Sequence, residues 1–588
     1  MTKQTISRAA LLAAAATLLA TVSIGAALAD PVTPERLVNA QKDEPQNWLL
    51  PYGSYAGFSH SPLKEITKDN VGGLKIKFMT AIGGGQPGSI GAQAPGQRAT
   101  PLVKDGFMYV QDAWDNVMKI DVSSGSKGEI IWKTDLGAQG TASKMGSVAL
   151  LGDDIYYVTR NEMQLVKLDD EYGDIVWQVD TRGPDNVPGA ERATGGVLAV
   201  GDKIITSAAG PGMRGWIAAF SAEDGKLLWR RYTVPGPGEP GHETWADDHN
   251  AYLTGGAGVW STASYDPDTN LIIFGTGEAQ PWADPAFRPG DNLYANSTMA
   301  VDADTGEVKW YFQEVPQETW DYDTINMKML YDINVGGETR KAVGTVSRNG
   351  FFYTMDRTNG AFIFGTPYRD PNWTKGLDPK TGKPLEYVPG SLTQSYAENK
   401  TLKVGDPTTA QDVCPALPTA TWWPPAYDPE RKITWVQAID ACFNQGITEH
   451  IDPTRTDLQG NPGMWGGGNF WTFDYAFPGA PGLIIGVNTE TGEKVSEIKT
   501  PAPTNSGLLS TAGGLLFGGN PDGDLIAYDA DTMQEVWKFN VGTPIGAPPI
   551  SYAVDGKQYI AVVVGGSKGA GPRLGMYEAA SQVVVFGL

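Results

Sequence analysis

Cysteine is almost absent from this chain: Cys414 and Cys442 are the only two among 588 residues. Their spacing is not that of a zinc site, and no C-x-x-C-H occurs, so covalently attached haem is excluded. Basic residues are outnumbered, 45 Lys and Arg against 67 Asp and Glu, for a formal charge of −22. Such a surface repels phosphate backbones and anionic lipid, so nucleic acid and membrane surfaces are not expected partners. A cationic partner such as a basic electron carrier would be steered towards it, although solubility alone also accounts for the charge. Beyond the first thirty residues no apolar run is long enough for a membrane span.

What is present begins with a leader. Lys3 and Arg8 precede the apolar run Ala9 to Ala20, and Ala27-Leu28-Ala29 is a small-x-small cleavage site. Residues 1–29 therefore read as a secretory signal peptide of the bacterial kind, with a mature chain from Asp30 and the periplasm as destination. Losing Lys3 and Arg8 takes the charge to about −24. In an oxidising compartment one Cys414–Cys442 disulfide is the natural reading, closing a loop of about 29 residues, with two free thiols as the alternative.

The remaining roughly 560 residues would ordinarily imply several domains, and a closed repeat architecture is the main exception. Gly 73, Pro 41 and Trp 18 describe many tight turns and aromatic packing points rather than long helices. One pattern recurs: an apolar stretch, Asp, turn residues, Gly, then Trp. It appears as LDDEYGDIVW ending at Trp177, FSAEDGKLLW at Trp229, VDADTGEVKW at Trp310 and YDADTMQEVW at Trp537, with a longer copy ending at Trp132. MDRTNGAFIF (Met355 to Phe364) and VNTETGEKVS (Val487 to Ser496) are weaker copies. Each reads as a β-hairpin, and most follow another strand pair, such as TPLVKDGFMYVQDA. Two hairpins make a four-stranded sheet, and sheets repeated radially make propeller blades with the Trp packed between neighbours. An array of β-sandwich domains is the rival, but it needs no single turn-plus-Trp signature. The expected fold is all-β: one eight-bladed propeller over residues 30–588. Two polar, strand-poor stretches, Tyr368 to Gln411 and Gly446 to Gly468, are predicted as long loops inserted in blades and folded over one end.

Several segments carry a resemblance. YGSYAGFSHSPLKEITKDNVGGLKI, WRRYTVPGPGEPGHETW, GVWSTASYDPDTNLIIFGTG, ETWDYDTIN, RNGFFYTMDRTNG, TAGGLLFGGNPDGDLIAYDADT and AVDGKQYIAVVVG occur in this order. They resemble the pyrroloquinoline-quinone (PQQ) dependent methanol and ethanol dehydrogenases, over essentially the whole mature chain. The resemblance implies a flat tricarboxylate quinone, a hard cation (calcium or a lanthanide) that polarises its reactive carbonyl, and a general base. By the same resemblance Trp260 is the stacking floor, Asp321 the base and Arg348 the arginine beside the quinone oxygens. Glu278, Asp321 and Asp323 are implied metal ligands, Asp323 matching the lanthanide-using branch. Thr194 and Asn505 are implied cofactor contacts. Were Asp321 and Asp323 on a strand, their side chains would point the same way, towards one cation.

The family pattern also breaks. The stretch Leu136 to Ser147 lacks the adjacent cysteines that form a ring over the quinone, and the arginine that follows them. Lys144 and Met145 are candidates to cover that face. The Glu expected before the GMRG turn (Gly212 to Gly215) is missing, while Glu278 stands in GTGE where the family has Asn. One carboxylate disappears near Gly210 and another appears at Glu278, so either the ligand has been exchanged or the site has decayed. Arg98 occupies a usual Glu position and is a candidate partner for a PQQ carboxylate, a surface arginine being the alternative.

The expected function is periplasmic oxidation of a large or secondary alcohol (a polyol, terpenoid or mycotoxin hydroxyl) to an aldehyde or ketone. Electrons would leave to a soluble acceptor such as a cytochrome c. A PQQ sugar or sorbosone-type dehydrogenase and a non-catalytic periplasmic scaffold are the alternatives.

Overall fold

The structure, a computed structural model, describes residues 30–83, 97–137, 146–183, 187, 189–416, 419–466, 471–475, 480–502, 506–565 and 581–588. The leader, Lys144, Met145 and Asn505 lie outside these residues. Eight antiparallel sheets of four strands follow one another, one of them extended by a short fifth strand. Blade 1 comprises Leu102–Lys104, Phe107–Gln111, Val117–Asp121 and Glu129–Thr134. Blades 2 to 7 start at Ala149, Leu198, Ser264, Met329, Ala426 and Leu508. Blade 8 joins Ile550–Val554, Lys557–Val564 and Ser581–Gly587 to the N-terminal strand Lys75–Gly83, which pairs antiparallel with Ser581–Gly587. The ring is thus closed by strand pairing between the two ends of the chain, which removes the open edge a linear array would leave.

Burial distinguishes the inner strands from the outer ones. The first strands of blades 1, 2 and 3 are buried at every position, whereas fourth strands such as Glu129–Thr134 and Ile175–Asp180 are largely exposed. The repeat tryptophans stand on those outer strands and reach the next blade. Trp132 donates to Asp170 O (3.0 Å), Trp177 to Glu223 O (2.9 Å), Trp229 to Ala303 O (3.0 Å) and Trp310 to Arg357 O (3.0 Å). Each acceptor lies on the turn of the neighbouring repeat, and each bond contributes about 1 kcal/mol besides the area an indole buries. The glycine of that turn is required on two counts. At Gly360 φ is +74°, and a Cβ would sit 2.7 Å from Trp310 Cε3. In the weaker copy ending at Phe364 that ring takes the indole's place against Gly492, while Trp537 packs edge-on against Phe586 with centroids 5.4 Å apart.

Both long loops are present, with two differences from expectation. Residues 368–411 lie between blades 5 and 6 rather than inside a blade. The second insertion, inside blade 6, is carried on a two-stranded hairpin, Phe443–Ile447 with Trp471–Tyr475, that the polar composition concealed. Cys414 and Cys442 form the disulfide, tying residues 412–416 to the base of that hairpin, where Val413 also pairs with Phe443.

Candidate active site

The chain enters each innermost strand from the same end of the propeller, so the residues just before those strands converge. Arg98, Thr194, Trp260 and Trp422 each stand four positions before the first residue of an inner strand, Leu102, Leu198, Ser264 and Ala426. Arg98, Thr100, Trp260, Thr262, Trp422 and Pro424 line one cavity of about 330 Å³, counting the space open to solvent. Trp260 is half-buried and takes no part in blade docking, unlike the repeat tryptophans. Trp422 was not anticipated: it faces the same cavity, with the Arg98 guanidinium 4.8 Å above its ring. Its TWWPP setting could have flagged it, since a tryptophan outside the repeat position has no docking role. Thr194 has a buried hydroxyl without a hydrogen-bond partner. Its neighbour Gly196 donates to Thr262 Oγ1 at 2.9 Å.

Beside this cavity three acids meet. Glu278 lies just beyond the second strand of blade 4 (Leu271–Gly275), and Asp321 and Asp323 lie in the approach to blade 5. Carboxylate oxygens of the three lie within 4.8 Å of one another. The two aspartates are not on a strand, contrary to expectation. Asp321 has a left-handed backbone, φ +65°, and it is hydrogen bonding rather than strand alternation that aims the pair. Arg348, in the turn after Glu338–Val346, bridges them: Nη1 lies 3.0 Å from Asp321 Oδ1 and 2.9 Å from Asp323 Oδ2, and donates to Asp321 O at 2.9 Å. The Glu278 peptide N–H donates to Asp323 Oδ1 at 2.7 Å, and Gln280 Nε2 donates to Glu278 Oε1 at 3.0 Å. The Arg348 guanidinium lies 5.3 Å from the Trp260 ring centre, which places the acid cluster beside that indole.

The electrostatics are those of a site built for a cation. Burial, then Asp323 and Asp321, push the Glu278 carboxyl well above its ordinary range. Burial also pushes Asp321 well up, with Arg348 pulling the other way and Asp323 adding to the rise. Arg348 alone cannot neutralise three acids. The donors offered are all oxygen, with neither imidazole nor thiolate, which suits calcium or a lanthanide rather than zinc or copper.

The covering segments are anchored to this geometry. Arg348 Nη2 donates to Thr421 Oγ1 (2.9 Å) and Tyr322 OH to Pro415 O (2.6 Å), so Pro415 and Thr421 are held against the site. The blade 6 insertion crosses to the far side of the mouth. There Ile451 N and His450 Nδ1 bond Asp284 at 2.8 and 2.9 Å, Gly460 N reaches Gly212 O (3.1 Å), and Trp282 N reaches Trp465 O (3.0 Å).

The comparisons agree with this arrangement. Residues 48–376 and 485–560 match the family model described as PQQ: glucose/ethanol/alcohol dehydrogenase, β-propeller domain. The chain is 33% identical over 575 residues to the quinoprotein alcohol dehydrogenase PedH of Pseudomonas putida KT2440, covering 93% of this chain and 89% of that protein. It is 31% identical to the dehydrogenase subunit of the quinone-linked alcohol dehydrogenase of Komagataeibacter europaeus, covering 91% and 73%. Among solved structures, the quinohemoprotein alcohol dehydrogenase ADHIIG of Pseudomonas putida HK5 superposes with a TM-score of 0.82 at 30% identity, covering 95% of this chain and 83% of that one. A europium-containing methanol dehydrogenase superposes with a TM-score of 0.80 at 25% identity, covering 94% and 100%. The chain belongs to the PQQ-dependent alcohol dehydrogenase family, the quinoproteins that oxidise alcohols.

Proposed function

We propose that this enzyme oxidises a bulky or secondary alcohol in the periplasm, with PQQ on Trp260 and a hard cation held by Glu278, Asp321 and Asp323. The observation that carries the reading is the meeting of three carboxylates within 4.8 Å beside the Trp260–Arg348 pair. When bound, the quinone supplies a carbonyl that accepts the two electrons of the alcohol as hydride, and the cation polarises it. Trp260 provides the aromatic floor, and Arg98, Arg348, Thr194 and Asn505 are the polar partners of the cofactor. Asp321 takes the hydroxyl proton on its carboxylate, and Arg348 fixes that carboxylate through Nη1. A lanthanide is favoured by the third acid, Asp323, and by the resemblance to a europium-containing relative. The covering loops and the lack of cysteine in Leu136 to Ser147 favour substrates larger than methanol. Electrons pass to an external carrier, for which a cationic cytochrome c suits the acidic surface.

Reconstitution with PQQ and calcium, or PQQ and lanthanum, followed by dye reduction over alcohols and sugars, tests the whole reading. Turnover of secondary or bulky alcohols is expected. Turnover of sugars alone would favour a sugar dehydrogenase, and failure to bind PQQ under either condition would leave a scaffold. Glu278→Ala should weaken cation binding at least a hundredfold; unchanged affinity would refute its role as a ligand.

A further inference from the structure

Behind Arg98, which lines the cavity, two further arginines continue in a row. Arg98 leads into blade 1, Arg160 follows the second strand of blade 2 (Asp154–Val158), and Arg192 leads into blade 3. Arg160 and the Arg192 segment are in backbone contact, Ala193 N donating to Arg160 O at 2.9 Å. At the ends of the row the guanidinium groups rest on indoles: Arg98 lies 4.8 Å from the centre of Trp422, and Arg192 lies 5.6 Å from that of Trp465 in the blade 6 insertion. Burial, and then the charge of Arg160, hold Arg98 down to about 10; burial, and then Arg192, do the same to Arg160.

None of these three guanidinium groups donates to a carboxylate among the described residues, whereas Arg36, Arg348, Arg357 and Arg431 all do. The nearest acid, Asp115, is engaged by Tyr157 OH at 2.5 Å and by the Arg160 peptide N–H at 2.7 Å. Arg160 Nε and Thr194 Oγ1 are buried without partners. Three neighbouring cations with Asp115 as the one acid acting on Arg160 carry excess positive charge, which becomes favourable when a polyanion supplies the acceptors.

We propose that Arg98, Arg160 and Arg192 form a single polyanion-binding row that takes the carboxylates of the quinone lying on Trp260. The assignment rests on the reading above and adds Arg160 and Arg192 to it. The forked guanidinium matches a carboxylate through two parallel hydrogen bonds, and three such forks match a tricarboxylate. Held by its acidic rim in this row, the cofactor would keep its quinone carbonyls free for the cation. Binding through this row needs no cation.

The test is PQQ binding to the full-length, metal-free protein in chelator, read by tryptophan quenching and equilibrium dialysis. Arg160→Gln and Arg192→Gln are each expected to raise Kd at least tenfold, the pair at least a hundredfold, and both to flatten the salt dependence of Kd. Arg160→Lys should recover part of the loss. The trimethyl ester of PQQ should bind wild type and variants alike. Because the substitutions relieve like-charge repulsion, the apo Tm should hold or rise, which separates lost binding from lost folding. PQQ affinity equal to wild type in the double variant overturns the assignment. So does a raised KM for an acidic alcohol at unchanged PQQ affinity, which would give the row to an anionic substrate. Wild type that takes up no PQQ overturns the cofactor reading itself, and the assignment with it.

Discussion

Substituting Gly360 by alanine measures what one docked indole is worth to the ring. Gly360 and Gly336 both lie in turns of blade 5 with left-handed backbones, φ +74° and +64°. Alanine at either position incurs a backbone cost of roughly 1–2 kcal/mol. At Gly336 nothing lies within 4 Å of the added carbon, so the cost ends there. At Gly360 the carbon would stand 2.7 Å from Cε3 and 2.9 Å from Cδ2 of Trp310, whose Nε1 bonds Arg357 O at 3.0 Å. The indole must move, adding about 1–3 kcal/mol of overpacking and about 1 kcal/mol of weakened hydrogen bond. Gly360→Ala should therefore destabilise by roughly 3–6 kcal/mol against roughly 1–2 kcal/mol for Gly336→Ala. For a chain of this size the entropy of unfolding is on the order of 1 kcal/mol per degree, so Tm should fall by about 3–6 °C against about 1–2 °C. Scanning calorimetry on both variants decides the matter. Equal shifts would show that the indole's seat on the neighbouring turn adds nothing to stability.

Other perturbations follow from the same geometry. The double variant Cys414→Ser/Cys442→Ser should lose about 3–4 kcal/mol, the chain-entropy value for a sequence separation of 28. Since the stapled run leads to Thr421 and Trp422, it should also bind PQQ more weakly, and an unchanged denaturation midpoint would contradict the staple. His60 sits 2.9 Å from Ser510 Oγ, and burial holds its imidazole down to about 4. Below the unfolded value near 6.5 the unfolded chain takes up a proton that the fold refuses, so stability falls between about pH 6.5 and pH 4, by roughly 3 kcal/mol in all. His60→Gln should flatten that limb of the stability curve, measured as the change in denaturation midpoint between pH 7 and pH 4.5. Equal losses in variant and wild type would rule this out. Asp284→Asn, at the anchor of the blade 6 insertion, should raise KM for bulky alcohols severalfold while leaving PQQ affinity as it is, read from steady-state kinetics; an unaltered KM would detach the insertion from substrate binding.

The fold was legible because five of the blades repeat one local device: a turn that needs a positive φ, beside a tryptophan that needs a neighbour. Trp260 stood out for the complementary reason, an indole away from the docking position. Less of the site could be read, because its parts are assembled by the ring rather than by local sequence. Arg160 and Arg192 come from different blades and stand 32 positions apart, and it is the packing of blade 2 against blade 3 that makes them neighbours. Asp321 and Asp323 were expected to share a direction through strand alternation. Instead the chain bends through a left-handed Asp321, and Arg348 gathers the two carboxylates from another turn. The hairpin Phe443–Ile447 with Trp471–Tyr475 escaped notice because its strands enclose a polar insertion, which separates the two halves of its signal.

Packing excludes a side chain at two positions of the turn where the acid is missing. A Cβ on Gly210 would overlap the carbonyl of Ala190 and lie 3.0 Å from Met213 Sδ. Gly212, with φ +57°, is pressed in the same way against the backbone of Leu458 and Gly460 in the blade 6 insertion. Gly210 and Gly212 are thus both closed to side chains, the second by the insertion lying across it. Gln280 links that turn to the acid that remains: its Oε1 accepts from Gly212 N at 2.8 Å, while Nε2 contacts Gly210 O at 3.3 Å and Glu278 Oε1 at 3.0 Å. Glu278 is thereby oriented from the side where the family's acid would have been. If the exchange is real, Gln280→Leu should weaken cation binding tenfold to a hundredfold, as loss of a ligand's supporting hydrogen bond does elsewhere. Returning the acid with Gly210→Glu in a Glu278→Asn background should fail to restore affinity, because the new side chain overlaps the Ala190 carbonyl. Titration of both variants with lanthanum and calcium, monitored by calorimetry, discriminates the two accounts: wild-type affinity in the double variant would mean that packing against Ala190 and the insertion had no part in moving the ligand.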